Sequence, residues 1–256
     1  MHPRDSFNDV AELYEGVRPG YPPALFDDMA ALAHLAPGDP VLEVGCGTGQ
    51  ATRSLARAGY DVLATDPGPD LIRVATSALA DFPNLRFAVG RFEDLAPAPG
   101  AYALVAAAQS WHWVAPERRF AKAAAALRPG GALAVFGNVP VGLSPAMLAA
   151  LTRIYDTHAP GLWGPPPETW YLPSGPVAGL FAEAPDFAPV AHRGYAWTWS
   201  LDAPTYIAFL RTRSDLQTLA PAQREPIFAA IADAIADQGG RFEIAYEAHL
   251  YLAGKV

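Results

Sequence analysis

Along residues 41–136, short apolar runs alternate with segments whose apolar positions recur every three to four residues. The short runs, at 41–45, 62–65, 86–89, 104–107 and 132–136, predict strands, and the longer segments predict the helices that carry the chain back across a parallel sheet. Before the fourth of these crossovers, Pro116 stands where a first-turn proline loses no hydrogen bond; Phe120 and Leu127 share a face, and Gly130-Gly131 are expected to stop that helix. Upstream, 9–14 and 23–35 read as two helices kept apart by the prolines and glycines of 16–22. After Phe136 the alternation lapses. A helix is expected at 144–157, and residues 159–167 hold too much proline for a helix or strand interior. Tyr195, Trp197 and Trp199 then recur with a period of two, which predicts a strand over 192–200. Helices follow at 204–213 and 221–238, the second with Ile227, Ile231 and Ile235 on one stripe, and 242–252 closes the pattern as a strand. These elements compose one α/β domain over 1–256: a doubly wound, mostly parallel sheet of seven strands with helices on both faces. Residues 1–38 are expected to lie over a ligand, and 140–200 to form a cap inserted after the fifth strand.

Composition narrows the classes of partner. With 51% hydrophobic and 17% charged residues, the 256-residue chain can bury a core that offsets its ordering entropy. The formal charge of −8 opposes binding to a phosphate backbone, where affinity comes from Lys and Arg, and the only lysines are Lys122 and Lys255. No apolar run reaches the ~18–20 residues of a membrane span, so the expectation is a cytoplasmic protein acting on small molecules, with no nucleic-acid or membrane partner. Cys46 is the single cysteine, which excludes an intramolecular disulfide or thiolate cluster. His2, His34, His158, His192 and His249 show no metal spacing, and no metal is expected.

The chemistry concentrates at Glu43-Val44-Gly45-Cys46-Gly47-Thr48-Gly49-Gln50, a predicted strand running into a glycine-rich turn and then a helix. Three glycines in five positions imply a tight turn that something approaches closely. Asp66, about 20 residues on at the end of the second strand, is placed to accept hydrogen bonds from ribose hydroxyls. Dinucleotide loops space their glycines G-x-G-x-x-G and receive a pyrophosphate at the helix N-terminus. Here the spacing is G-x-G-x-G, Gln50 follows, and the carboxylate of Glu43 precedes the turn, which favours a ligand cationic at that end.

Residues 41–50 resemble the first motif of class I S-adenosylmethionine-dependent methyltransferases, and the resemblance extends over about residues 7–140. It implies a Rossmann-like fold and S-adenosyl-L-methionine as cofactor, with S-adenosyl-L-homocysteine as product. On that resemblance Gly45, Cys46, Gly47, Thr48 and Gly49 hold the methionine part and Glu43 orients it. Asp66-Pro67 match the ribose-binding position, and 127–133 looks like the motif before the fifth strand. Ala108 and Gln109, ending the fourth strand, join the cofactor set. Asn8 to Pro22, with Tyr14 and Arg18, and Gln109 to Trp113 are similar to the branch containing trans-aconitate methyltransferase, whose acceptors are small molecules. One segment departs from the family: Gly-Asp-Ala after the third strand is replaced by Gly90-Arg91-Phe92-Glu93-Asp94. Arg91 has donors only and cannot accept from the adenine amino group, so Glu93 or a backbone carbonyl takes that role while the Phe92 amide meets the ring.

Methyl transfer from a sulfonium needs an acceptor atom held at about 3–3.5 Å behind the methyl, and exclusion of water. Tyr14, Arg18, Trp111 and Trp113 are candidate walls and lid, and Arg18 is a candidate partner for the cofactor carboxylate. His112 follows the fourth strand and can act as base toward a hydroxyl, or simply pack between its tryptophans; a carboxylate acceptor requires no base. His112 and Trp113 are thus the candidate catalytic pair, Cys46 reads as packing, and Arg211 and Arg213 as solvent-facing. Two rivals remain. Tyr251 and Lys255 form the Tyr-x-x-x-Lys pattern of an NAD(P)-dependent oxidoreductase, though in a terminal strand rather than a mid-chain helix. A non-catalytic module that binds S-adenosylmethionine would carry the same loop.

Overall fold

The computed structural model describes residues 16–162 and 167–256. The helix expected at 9–14, with Tyr14, and Trp163 fall outside them.

Seven strands form one sheet: β1 (Pro40–Val44), β2 (Asp61–Asp66), β3 (Leu85–Val89), β4 (Tyr102–Ala108), β5 (Leu127–Leu143), β6 (Ala191–Asp202) and β7 (Arg241–Gly254), in the order β3-β2-β1-β4-β5-β7-β6. The first five pair in parallel and β7 runs antiparallel between β5 and β6. Helices α1 (Pro23–Leu32), α2 (Gln50–Arg57), α3 (Pro69–Ala78) and α4 (Pro116–Ala126) precede β5; α5 (Pro145–His158), α6 (Pro176–Leu180), α7 (Ala203–Arg211), α8 (Ser214–Gln217) and α9 (Pro221–Asp237) follow it.

Strand parity distributes the core between the two faces. Val41, Leu104, Ala134 and Phe136 point with Leu25 and Met29 of α1 and Leu55 of α2 into one apolar cluster. Leu42, Val105, Leu133 and Val135 point the opposite way, with Ala123 of α4, Tyr171 and Phe181. A third cluster joins α5, α7 and α9 to the start of β7, and Ile227, Ile231 and Ile235 form its buried stripe as the periodicity predicts. Ser144 and Asp202 cap α5 and α7, accepting from the amides of Met147 at 3.2 Å and Thr205 at 3.0 Å.

Two boundaries differ from the sequence reading. Gly130-Gly131 do not stop a helix: α4 ends at Ala126, and the glycines lie inside β5, where Gly130 takes φ +74° and the pairing with β4 shifts between Tyr102 and Leu104. Of residues 140–200, the two ends belong to the sheet: 140–143 finish β5, and 191–200 lie in β6 on its edge, leaving 144–190 as the excursion between them.

Candidate active site

A cavity of about 420 Å³ opens at the carboxyl ends of β1, β2 and β4. This size suits a nucleoside with a small second ligand. Its near wall is the glycine turn. Gly45 and Gly49 adopt φ +70° and +103°, conformations that glycine alone takes without strain. The room they leave is filled by the protein itself. A Cβ at Gly45 would collide with Ser110, whose hydroxyl bonds the Val44 carbonyl, and one at Gly49 would stand 2.6 Å from Leu79. These two glycines therefore allow the turn to pack; they do not make way for a ligand.

Asp66 holds the same turn from the next strand. Its carboxylate accepts from the Gly47 amide at 3.0 Å and the Gly68 amide at 2.8 Å while facing the cavity. Burial raises its pKa, and those two N–H groups oppose the rise. Ionised, a carboxylate has about four acceptor sites, so lone pairs remain for a sugar hydroxyl.

Glu43 is placed otherwise than the sequence reading has it. It shares the parity of Val41, so its side chain enters the sheet face covered by α2, beneath the turn, and it does not line the cavity. It is 1% exposed, neither carboxylate oxygen has a hydrogen-bond partner among the described residues, and burial lifts its pKa to about 7, with nearby Thr52 opposing and Asp66 adding to the rise. Thr48, fully buried and accepting from Gln50 at 2.8 Å, and Gly49 also lie off the cavity wall.

Gly45, Cys46, Gly47, Pro67, Arg91, Phe92, Glu93, Ala108 and Gln109 all reach the cavity. Burial pushes the Cys46 thiol well up, which agrees with packing and opposes a nucleophilic thiolate. Glu93 is committed locally, its Oε1 accepting from the Ala115 amide at 2.7 Å. Gln109 adopts φ +51° and donates to the Asn138 carbonyl at 2.7 Å.

Arg18 lines the cavity too, but its guanidinium is tied to the end of α7: Nε donates to Thr212 Oγ1 at 3.0 Å, Nη2 to the Thr212 carbonyl at 3.1 Å, and the group lies 4.9 Å from the Phe209 ring centroid. Asn138, which the sequence reading missed, fixes the neighbouring segment. It is buried, donates to the Gly20 carbonyl at 2.9 Å and accepts from the Trp197 indole at 3.2 Å.

His112 and Trp113 occupy a 3₁₀ turn, Trp111–Trp113, on the cavity wall, whereas Trp111 is buried in the core and is no wall. His112 Nδ1 lies 3.2 Å from the Tyr171 hydroxyl, with Trp113 and Trp170 against its ring at 4.7 and 5.3 Å. Burial, reinforced by Arg119, lowers its pKa to about 4, so the imidazole is neutral near pH 7.

The far wall was not legible as a site. It comprises Glu168, Trp170, Phe209, Arg213, Asp215 and Tyr246, from the excursion after β5, α7–α8 and β7. Arg213 does not face solvent as expected: it meets Asp215 through two contacts of 3.1 and 2.7 Å inside the cavity wall. Burial works against its charge, yet Asp215, with Glu168 behind it, holds the guanidinium above its ordinary value. Arg211 does face outward, paired with Glu225 at 2.6 Å.

The Tyr251 hydroxyl donates to the Tyr171 carbonyl at 3.0 Å and Lys255 to the Leu127 carbonyl at 2.8 Å; neither lines the cavity, which removes the structural basis for a dehydrogenase relay.

Residues 41–131 match the family model of the methyltransferase domain. That matched stretch, about a third of the chain, is similar to a class I S-adenosylmethionine-dependent methyltransferase domain. Over 133 residues it is 37% identical to an uncharacterized methyltransferase of Mycobacterium tuberculosis, covering 52% of this chain and 52% of that protein. It is also 33% identical over 133 residues to a ubiquinone biosynthesis O-methyltransferase of Xanthomonas campestris, covering 50% of this chain and 55% of that one. The chain thus spans about half the length of the curated relatives it matches. The solved structure of an Anaeromyxobacter dehalogenans protein, proposed to be a type II methyltransferase, superposes with a TM-score of 0.62 at 26% identity, over 93% of this chain and 97% of that one. S-adenosylmethionine is the cofactor of this domain class, and the cavity fits it: Asp66, at the end of the second strand, faces the cavity with acceptor sites left for a nucleoside's hydroxyls. Among the described residues, no helix is long and apolar enough to cross a membrane, and no group of three or more His, Cys, Asp or Glu is placed to hold a metal ion.

Proposed function

We propose that the protein transfers the methyl group of S-adenosylmethionine to an oxygen of a small molecule held against the far wall of this cavity. The supporting observation is the position of His112, which stands on the wall between the glycine turn and the Glu168–Arg213–Tyr246 end.

The cofactor supplies an electrophilic methyl on a sulfonium. Asp66 and Pro67 would hold its ribose and the turn its methionine portion, with Arg91, Phe92 and Glu93 beside the base and Ala108 and Gln109 beneath. Arg18 stays with Thr212 and closes the cavity over the ligand, and Tyr14 keeps the lid role expected from sequence. Trp113, Trp170 and Tyr171 exclude water from the acceptor. A neutral imidazole can accept a hydroxyl proton as the new bond to oxygen forms. If the acceptor oxygen belongs to a carboxylate, as the likeness of 8–22 and 109–113 to the trans-aconitate methyltransferase branch would have it, His112 only positions.

Calorimetry with S-adenosylmethionine, S-adenosylhomocysteine and NAD, followed by turnover of methyl-labelled cofactor with small phenols and carboxylic acids, tests the reading. Heat with the first two ligands and label recovered in an ester or ether are expected. Tight NAD binding without either of those heats would overturn it.

A further inference from the structure

We propose that Glu168 anchors the methyl acceptor, and that the acceptor presents to it a hydrogen-bond donor, a hydroxyl or a protonated amine, on a flat apolar body. The proposal rests on the reading that this cavity takes the methyl acceptor.

Among the described residues, two cations reach the far wall, and both are already engaged. Arg213 is closed into its double contact with Asp215, and Arg18 is turned to Thr212. A free carboxylate entering here would have to displace Asp215 from a bidentate pair, the strongest arrangement a guanidinium makes. Glu168 is in the opposite condition. It lines the cavity, its Oε2 is shielded from solvent, and among the described residues that oxygen meets no donor and the side chain makes no direct salt bridge, reaching Arg213 only as a longer-range field. A buried acceptor without a donor is costly, so a ligand that brings an O–H or N–H relieves that cost on binding. The terminal torsion of a glutamate is broad, and rotation about it turns either oxygen toward the cavity. The surrounding surface sets the rest of the acceptor: Trp170, 44% exposed, Tyr246 and Phe209 offer flat apolar walls that suit a ring and, for an amine, the faces of aromatic rings.

The test uses the full chain saturated with S-adenosylhomocysteine and three probes of similar size: catechol, benzylamine and benzoate. Binding is followed by calorimetry in the wild type and in the Glu168→Leu and Glu168→Gln variants. At least one donor-bearing probe should bind about tenfold or more tightly than benzoate, as a hydrogen bond to a charged group would give. Glu168→Leu should abolish that preference, and Glu168→Gln, which still accepts through its amide oxygen, should keep part of it. Preference for catechol indicates that the group anchored on Glu168 is a hydroxyl, and preference for benzylamine that it is a protonated amine. Equal or tighter binding of benzoate, a preference unchanged in Glu168→Leu, or no binding of either donor probe at millimolar concentration overturns the proposal. Heat of S-adenosylhomocysteine binding, measured first in each protein, separates these outcomes from failure of the methyltransferase reading, which would show as no heat in the wild type.

Discussion

His112 and Glu43 are both displaced from their ordinary titration ranges by burial, in ways that leave different marks. The folded pKa of His112 falls from 6.5 to about 4, so the native state binds fewer protons than the unfolded chain between those values. Its contribution to stability is present above pH 6.5 and is lost as pH falls toward 4. Turnover of a hydroxyl acceptor should therefore stay level from about pH 6 to 8 as far as His112 is concerned, with the acid limb near its lowered pKa. His112→Asn should lower kcat with such an acceptor by about a hundredfold, with little change in cofactor affinity; steady-state kinetics checks both. Glu43 runs the other way. Its folded pKa of about 7 stands above the ordinary 4.5, so its contribution is present below 4.5 and lost as pH rises through 7. Glu43→Gln should therefore melt above the wild type at pH 8, by a margin that shrinks toward pH 5 in thermal scans. At Asp66, Asn places an amide donor against the Gly47 or Gly68 N–H, and calorimetry should show S-adenosylhomocysteine affinity about tenfold or more weaker.

At the scale of elements, Asn138 links three pieces of chain: Gln109 at the end of β4 bonds its carbonyl, while its side chain joins Gly20 ahead of α1 to Trp197 on β6. Asn138→Ala leaves the Gly20 carbonyl and the Trp197 indole without these partners. We expect a loss of about 1–3 kcal/mol in denaturant unfolding and faster dissociation of S-adenosylhomocysteine in stopped-flow measurements. None of this was legible beforehand, because Asn138 carries no motif and its partners are distant in sequence. What periodicity could show, it showed. Strand parity and the isoleucine stripe of α9 follow from local spacing, and the turn after β1 follows from its glycines. Parity also places Glu43, but the motif pulled the reading toward the ligand. Gly130-Gly131 look like a helix stop because two glycines disfavour a helix, while the close carbonyls of Tyr102, Ala103 and Arg128 around Gly131 exist only once β4 and β5 are paired. Arg213 read as solvent-facing for the same reason: Asp215 is its sequence neighbour, but the cavity they share depends on how α7–α8 pack against the sheet.

For the whole molecule, a ligand that binds only the folded state raises its stability by about 2.7 kcal/mol at a hundred times its Kd. S-adenosylhomocysteine at that excess should raise the melting temperature in a dye-based scan, and NAD at equal concentration should leave it unchanged. The charge of −8 leads to a further expectation: no retardation of the protein by duplex DNA in a gel at physiological salt. The two sides of the cavity also come from different stretches of chain. Apart from Arg18, Pro19 and Tyr21, the donor side is built by residues 44–114, and the side opposite by 138–246. Such a division lets the second stretch diverge, acquiring or discarding substrates, while the first keeps its grip on a common reagent; exchanging it with a homologue's counterpart should therefore transfer acceptor preference and leave methyl-donor affinity close to that of the parent.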